Sequence, residues 1–342
     1  MTKDIFLVLG VARSGTSVIT RGLQALGVTL GDKLHPASSW NPKGFWEDDE
    51  LVYKINRSIL YFLNYPWINT TLAEKLQKGD DYLLNQFKVR AKQLLAERLA
   101  TSDNWGFKDP RTILMLPFWQ AVCKELSLTD KYIIAIRHPL ASAHSNNKIG
   151  NGDVEAVLLT WLTQTMSAVQ DTMNKPSVFV SYELMLQDAE KQLARINHVL
   201  SVNPAPNQQE IHQYTHQFLD NNLRHHVFDD AALSQHPAMA VMPLCMDLYK
   251  LLMRVATDEI KVTDDAFKNE WDKINIQFNA AKPLYHYLFT VLNKNKLLER
   301  QVRTIQKSLP WKLVTPLRKI DDILRFYRKK QRGINKMANA YE

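Results

Sequence analysis

The sequence holds few of the residues that build disulfide frameworks or zinc sites. Its 342 residues include two cysteines, Cys123 and Cys245, both in apolar stretches. Two cysteines do not make a disulfide framework, and no Cys/His cluster has zinc spacing, so no metal is expected. No run of about 18 apolar residues occurs, which predicts that nothing spans a membrane. The first apolar run starts at about residue 5, which leaves no room for a signal peptide and favours a reducing cytoplasm.

A glycine loop near the start of the chain is its most informative motif. Residues 5–16 have the sequence IFLVLGVARSGT, an apolar run followed by a G-x-x-x-x-G loop that ends at Gly15. Apolar residues at helical spacing follow, which predicts a strand, a loop and a helix that surround a phosphate with backbone N–H groups. A Walker loop has Lys after its second glycine, but Thr16 stands here, and Arg13 is the cation of the loop. The loop is therefore expected to bind a phosphate-like anion in a manner different from that of ATP and GTP sites.

The tetrapeptide Arg13-Ser14-Gly15-Thr16 resembles the phosphosulfate-binding loop of sulfotransferases, and especially that of their carbohydrate-directed members. These enzymes use 3′-phosphoadenosine 5′-phosphosulfate (PAPS) as the sulfuryl donor. The resemblance implies that Arg13, Ser14, Gly15, Thr16 and Ser17 bind the donor and that Arg13 also takes part in catalysis. Arg13 stands where many members have Lys, so we expect it to act by charge and hydrogen bonding and not as a proton donor.

A second anion motif follows a predicted strand at residues 132–136. In sulfotransferases, an Arg at a strand end and a Ser eight residues later hold the 3′-phosphate, with Pro two residues after the Arg. Arg137, Pro139 and Ser145 resemble this pattern in type and spacing. A guanidinium group offers two parallel hydrogen bonds to a phosphate, and proline suits the first turn of a helix. The resemblance therefore implies that Arg137 and Ser145 bind the donor.

Between these motifs, Lys108-Asp109-Pro110 stands at the end of another predicted strand. Lys-Asp-Pro recurs at this place in several sulfotransferase branches, and the resemblance implies that Lys108 contacts the transferring sulfuryl group. A cation fixed where charge develops lowers the barrier of such a reaction. Arg13 and Lys108 are therefore expected to serve catalysis without a metal ion.

A general base must take the proton of the attacking hydroxyl group. Glu47 is the first candidate, because it ends an N-x-x-G-aromatic-x-E segment that resembles one found in bacterial sulfotransferase-like proteins. The aromatic neighbours would also desolvate its carboxyl group. Asp109 and His35 are alternative bases. A different interpretation is that the acidic residues 47–50 open a helix and favour its dipole.

Apolar strands alternate with amphipathic helices over the first 200 residues. Strands are predicted at residues 105–108, 132–136 and 177–181, with helices near residues 51–62 and from about residue 81. This alternation predicts an α/β fold with a mainly parallel sheet and flanking helices, as in P-loop sulfotransferases, with ligands at the carboxyl ends of the strands. We expect a catalytic domain at residues 1–260 and a helical, basic C-terminal extension at residues 261–342.

The positive charge of the chain is concentrated near its C-terminus. Residues 294–332 hold 13 Lys or Arg against 3 Asp or Glu, whereas the whole chain has a net charge of +8. Ile320, Ile323, Leu324 and Tyr327 share one helical face, which predicts an element that binds an anionic membrane surface. The alternative is a helical arm that packs on the catalytic domain or on a second subunit. No nucleic-acid motif accompanies the charge, so nucleic acid is not expected as a partner.

Together these motifs predict a PAPS-dependent sulfotransferase that acts on a hydroxyl group of a bacterial glycan or glycolipid. The predicted location is the cytoplasm, with peripheral association at the inner face of the plasma membrane. Arg224, in a Leu-Arg-His segment that resembles one in bacterial relatives, is a further candidate for closing over the donor or for holding an acidic acceptor. One alternative is a P-loop small-molecule kinase, which the missing Walker lysine disfavours. Another is an inactive nucleotide-binding scaffold of a polysaccharide assembly complex.

Overall fold

A computed structural model describes residues 3–38, 41–63, 82–147, 153–203, 207–220, 228–311 and 314. Over these ranges, four strands form one parallel sheet in the order β2-β1-β3-β4. The strands are β1 (Asp4–Leu9), β2 (Asn104–Lys108), β3 (Thr129–Ile136) and β4 (Ser177–Ser181). The predicted α/β class with a parallel sheet is confirmed.

Helices connect the strands and flank the sheet. The described helices are α1 (Thr16–Ala25), α2 (Arg57–Phe62), α3 (Tyr82–Arg98), α4 (Leu116–Glu125), α5 (Pro139–Asn147), α6 (Val154–Thr172), α7 (Tyr182–Gln187), α8 (Ala189–Leu200), α9 (Gln208–Gln213), α10 (Asp230–Ser234), α11 (Leu244–Ala256) and α12 (Asp265–Lys307). Short 3₁₀ segments span Pro110–Met115 and Pro237–Ala240, and π-helical turns span Leu51–Asn56 and Tyr214–Phe218. The helix predicted near residues 51–62 therefore begins with a π-helical turn.

The packing of α1 against the sheet fixes the place where the glycine loop begins. Phe6 and Val8 of β1 belong to the same core cluster as Ile19 and Leu23 of α1, and each of the four is at most 1% exposed. From Ile5 onward β1 is entirely buried, as expected for a central strand of a parallel sheet with helices on both faces. The end of the strand, from which the loop turns into α1, is therefore held between the sheet and this helix.

The register of the strands brings the predicted anion-binding residues to one edge of the sheet. Val8 near the end of β1 pairs with Lys108 at the end of β2. Ile136 at the end of β3 pairs with Ser181 at the end of β4. Because the strands run in the same direction, the glycine loop, Lys108 and Arg137 all lie at the carboxyl edge. This is the edge at which open α/β sheets bind ligands.

Within the described residues the C-terminal region is helical, as predicted, and α12 alone spans 43 residues. The chain divides into two compact units, Met1–Tyr287 and Leu288–Glu342. The domain boundary after residue 260 stays a prediction, because compactness does not measure which part folds on its own. Among the helices described above, none is both long and apolar enough to cross a bilayer. Arg224 and the apolar face at residues 320–327 lie outside the described residues.

Candidate active site

The loop after β1 turns sharply onto the N-terminus of α1. Arg13 and Gly15 have positive φ angles of 70° and 81°, and the Ser14 N–H group donates to the Val11 carbonyl at 3.0 Å. A Cβ atom at Gly15 would lie 2.3 Å from the Tyr182 ring, so both the backbone angle and the space require glycine. The turn sets the first amides of α1 at the carboxyl edge of the sheet, where they suit an anion.

Arg13 joins the glycine loop to α5. Its Nε donates to Ser145 Oγ at 3.0 Å, and its carbonyl accepts a hydrogen bond from Arg137 Nη1 at 2.8 Å. The Ser14 hydroxyl lies 3.3 Å from the Ser142 hydroxyl and forms a second link to the same helix. The structure therefore brings Arg13, Arg137 and Ser145 together, as their predicted roles require.

Two guanidinium groups lie close together at this point. Burial lowers the pKa of Arg13, and the positive charge of Arg137 lowers it further. Arg137 lies over the Tyr182 ring, 4.5 Å from its centroid, and 3.9 Å from Glu183 Oε1. Arginine keeps its charge at neutral pH even when its pKa is lowered. A bound dianion would offset the repulsion between the two groups, so the electrostatics here favour anion binding.

Lys108 and Glu47 form a buried ion pair at the end of β2, on the side of β1 away from β3. Lys108 Nζ lies 2.7 Å from Glu47 Oε1 and 3.3 Å from Ser17 Oγ in the first turn of α1. The two side chains are 2% and 9% exposed. Arg111 Nη2 lies 3.5 Å from the second carboxyl oxygen of Glu47. Lys108 therefore connects the candidate base to the glycine loop.

A polar network fixes the turn before Glu47 against α1. Asn41 Nδ2 donates to the Gly44 carbonyl at 2.7 Å and to Ser17 Oγ at 3.2 Å. Ser17 Oγ in turn donates to the Phe45 carbonyl at 3.1 Å. Because these bonds hold the turn on the first residues of α1, Glu47 is held in front of the glycine loop.

The acidic run at residues 47–50 divides between two roles. Asp48 Oδ1 accepts hydrogen bonds from the backbone N–H groups of Glu50 at 2.9 Å and Leu51 at 3.1 Å, and so caps the following helical segment. The helix-opening interpretation therefore applies to Asp48 and not to Glu47. The carboxylate of Glu47 is paired with cations, so its surroundings are ionic and not the apolar environment that its aromatic neighbours predict.

The contacts of Asp109 are those of a structural carboxylate. Its Oδ1 accepts from the backbone N–H of Arg111 at 3.0 Å and from Arg111 Nε at 2.6 Å. Its Oδ2 accepts from Asn56 Nδ2 at 2.9 Å, and Asn56 is fixed by a hydrogen bond from Trp119. Asp109 is 1% exposed and caps the 3₁₀ segment Pro110–Met115. These contacts favour a positioning role for Asp109 over that of a base.

His35 lies beside Glu47 and forms its own pair with a carboxylate. Its Nδ1 lies 2.7 Å from Asp49 Oδ1, and its backbone N–H donates to the Glu47 carbonyl at 2.7 Å. The imidazole ring packs edge-on against Phe45, with centroids 5.0 Å apart. A histidine oriented by a carboxylate is a common arrangement for a general base. His35 therefore stays an alternative to Glu47.

Asn146 and Arg111 support the site although no sequence motif assigns them a role. Asn146 Nδ2 donates to the Ala12 carbonyl at 3.0 Å and holds the glycine loop next to the Arg13–Ser145 contact. Arg111 directly follows Lys108-Asp109-Pro110, and this adjacency is a usable signal. Nothing local marks Asn146, because its contact depends on the packing of α5 beside the loop.

Metal ligands and reactive thiols do not assemble in the described part of the chain. There, no group of three or more His, Cys, Asp or Glu side chains is placed to hold a metal ion. Cys123 and Cys245 are buried free thiols. Burial raises the pKa of Cys123 to about 12 and also raises that of Cys245, so neither is an activated nucleophile at neutral pH.

Comparison with protein-family models and with curated proteins gives no match. Among solved structures, the chain is similar to the sulfotransferase domain of the olefin synthase from Synechococcus PCC 7002. That similarity has 15% identity and a TM-score of 0.44, over 73% of this chain and 95% of that one. The chain is also similar to a sulfotransferase domain from the curacin biosynthetic pathway, with 15% identity and a TM-score of 0.40, over 70% of this chain and 98% of that one. Both similarities are distant, so the proposed function rests on the geometry of the site.

Proposed function

We propose that this protein is a sulfotransferase that moves the sulfuryl group of PAPS to a hydroxyl group. The observation that carries the proposal is the meeting of Arg13, Arg137 and Ser145 at the glycine loop, with Lys108 at the next strand end. A glycine loop alone fits many nucleotides. A second cationic group beside it fits a donor with two separate anionic ends, which PAPS has in its 3′-phosphate and 5′-phosphosulfate.

In this proposal the donor lies along the carboxyl edge of the sheet. Arg137 offers a two-pronged contact to the 3′-phosphate, and the Ser145 hydroxyl adds a third hydrogen bond. The amides and hydroxyl groups of residues 14–17 bind the 5′-phosphosulfate at the start of α1. Arg13, which contacts Ser145 and belongs to the loop, supplies positive charge between the two ends.

The reaction forms a bond between the acceptor oxygen and sulfur and breaks the bond between sulfur and the 5′-phosphate oxygen. Lys108 stabilises the charge that develops on the sulfuryl and leaving oxygens, together with Arg13. Glu47 takes the proton of the acceptor hydroxyl group. Its contact with Lys108 supports this role, because Lys108 also contacts the first turn of α1.

The acceptor in this proposal is a hydroxyl group of a bacterial glycan or glycolipid. The resemblance of Arg13-Ser14-Gly15-Thr16 to the loop of carbohydrate-directed sulfotransferases supports this class. The basic residues 294–332 support a peripheral association with the anionic inner face of the plasma membrane. A lipid-linked glycan intermediate at that surface would satisfy both observations.

Calorimetric titration tests the donor. We expect 3′-phosphoadenosine 5′-phosphate to bind without added metal and ATP with Mg²⁺ to bind weakly or not at all. Binding of ATP with Mg²⁺ alone would favour the kinase alternative and overturn the proposal. Incubation with labelled PAPS and glycan extracts of the source cells then tests transfer. Donor binding without labelling of any acceptor would favour the inactive scaffold.

A further inference from the structure

The C-terminal part of α12 and the residues directly after it expose a narrow apolar stripe. Apolar residues recur at alternating spacings of three and four, and Asn295 takes one of the places. This is the spacing of heptad positions a and d. The seam, as we call these positions, consists of Leu288, Val291, Asn295, Leu298, Val302, Ile305 and Leu309. Its six apolar members are 37% to 68% exposed.

The width of the seam favours another helix as its partner. A helix that lies on a membrane presents a broad apolar face, whereas a stripe of two positions in seven is typical of a coiled coil. The positions between the seam residues are mostly polar, and the charged ones are Lys294, Lys296, Glu299, Arg300, Arg303 and Lys307. Leu297 is the one large apolar residue among them that is exposed, at 55%. A second helix therefore fits the seam better than a lipid surface does.

Asn295 points to an identical helix as that partner. An amide buried in an apolar seam costs free energy unless it finds a hydrogen bond. In a parallel, in-register pair of identical helices, each a position faces the same position of the second copy. Asn295 would then meet itself, and two amides can exchange donor and acceptor. Other registers would set the amide against an apolar side chain.

The charged residues beside the seam also favour a parallel, in-register pair. In a parallel coiled coil, a g residue faces the e residue five positions later on the other helix. Lys294 occupies a g position and Glu299 the e position five residues on, so the pair carries opposite charges. The next such pair is Gln301 with Gln306, which is neutral. Neither pair places like charges together.

From the seam, its asparagine and these charges, we propose that residues 288–309 form a parallel, in-register coiled coil with a second copy of this chain. The proposal does not depend on the donor or acceptor assignment. Of the three partners that the sequence allows for the C-terminal arm, which are a membrane surface, the catalytic domain and a second subunit, the proposal selects the second subunit.

The mass of the full-length protein in solution tests the proposal. Sedimentation equilibrium should give about twice the 39.5 kDa of one chain. Leu298→Asp should give the mass of a single chain, since it places a charge in the seam. Leu297→Asp is the matched control, because Leu297 is the adjacent residue, 55% exposed against 48% for Leu298, but lies outside the seam. A monomeric wild-type protein, or equal masses for the two variants, would overturn the proposal.

Cross-linking tests the direction and register. Asn295→Cys and Val302→Cys, made separately, should each give a disulfide-linked dimer under mild oxidation, because in a parallel pair each position faces itself. The native Cys123 and Cys245 are buried and should not contribute. Cross-linking at only one of the two positions would indicate antiparallel pairing and overturn the register. If the wild-type protein is a monomer in solution and Leu298→Asp no longer binds anionic vesicles, the seam binds a membrane and the proposal is wrong.

Discussion

Arg13 and Ser145 share a hydrogen bond of 3.0 Å although 132 positions separate them in the sequence. The bond joins the loop after β1 to the helix after β3, and these two strands are neighbours in the sheet. The two predicted anion motifs are therefore parts of one site. A substitution that shifts either strand end should alter anion binding at both.

Arg137→Ala should weaken the binding of 3′-phosphoadenosine 5′-phosphate at least tenfold. Loss of hydrogen bonds to a charged group costs about 1.5–3 kcal/mol, which calorimetry measures directly. Arg57→Ala is a matched control, because both arginines lie over a tyrosine ring, at 4.5 Å for Arg137 and 4.8 Å for Arg57. Unchanged affinity in Arg137→Ala would refute the 3′-phosphate assignment.

Arg13→Ala and Lys108→Ala should each lower turnover by about two orders of magnitude or more, the usual effect of losing a transition-state donor. Single-turnover transfer from labelled PAPS measures the effect on chemistry. Lys92→Ala, which removes an exposed partner of Glu125, should leave the rate unchanged. If the two site variants keep the wild-type rate while folded, the roles assigned to them are wrong.

Glu47→Gln should remove the part of the rate–pH profile that depends on the general base. It should leave intact the affinity for 3′-phosphoadenosine 5′-phosphate, which has no sulfuryl group to contact Lys108. The amide keeps the shape of the side chain but cannot accept a proton from the acceptor. His35→Gln and Asp109→Asn are the comparison variants, measured over the same pH range. If Glu47→Gln is active and His35→Gln is not, His35 is the base and the donor assignment survives.

Asp171→Asn should stabilise the protein near pH 7.5 and have little effect near pH 4. Burial raises the pKa of Asp171 from 3.8 to about 6, so the folded state binds this proton more tightly than the unfolded state does. The group therefore favours folding below pH 4, and this contribution is lost as the pH rises through 6. The gain in free energy of unfolding should reach at most about 3 kcal/mol. Urea denaturation at both pH values checks this, and equal effects would contradict it.

Removal of residues 315–342, which takes away seven of the 13 Lys and Arg of residues 294–332, should weaken binding to anionic vesicles and leave turnover on a soluble acceptor unchanged. Each Lys or Arg near an anionic surface contributes about 1 kcal/mol, and salt screens exposed charges within about 10 Å at 0.1 M. Vesicle co-sedimentation of the intact protein should therefore fall steeply with salt, with neutral vesicles as the control. If the intact protein does not bind anionic vesicles at low salt, the tail does not bind membranes.

Local sequence patterns predict strands well where the interior of the strand is apolar. The strand predicted at residues 177–181 is observed as Ser177–Ser181. β3 begins three residues before its predicted start, because its first residues are polar and their partners are distant in sequence. Lys131, for example, lies 2.7 Å from Asp4, 127 positions away. A sequence pattern alone does not reveal that such a lysine belongs in a strand.

In the candidate site, too, local sequence patterns predict some residues, whereas the positions of others depend on contacts between distant parts of the chain. The glycine loop, Lys108 and Arg137 stand at strand ends, so their meeting at one edge follows from the strand pattern. The ion pair of Glu47 with Lys108 joins residues 61 positions apart and depends on how the turn before Glu47 packs on α1. The capping by Asp109, in contrast, is local, since an Asp-Pro pair before a short helix is a recognisable start signal.

The buried contact between Lys108 and Glu47 has a consequence for the order in which substrates add. One ammonium group serves both the carboxylate at 2.7 Å and the start of α1. In the proposed reaction, a sulfuryl oxygen that binds Lys108 competes with Glu47 for this ammonium group, and so weakens the ion pair that holds the proposed base. Donor binding would therefore prepare the base, and the hydroxyl substrate would add second. Steady-state kinetics should then show that the product 3′-phosphoadenosine 5′-phosphate inhibits competitively against the donor and not against the acceptor.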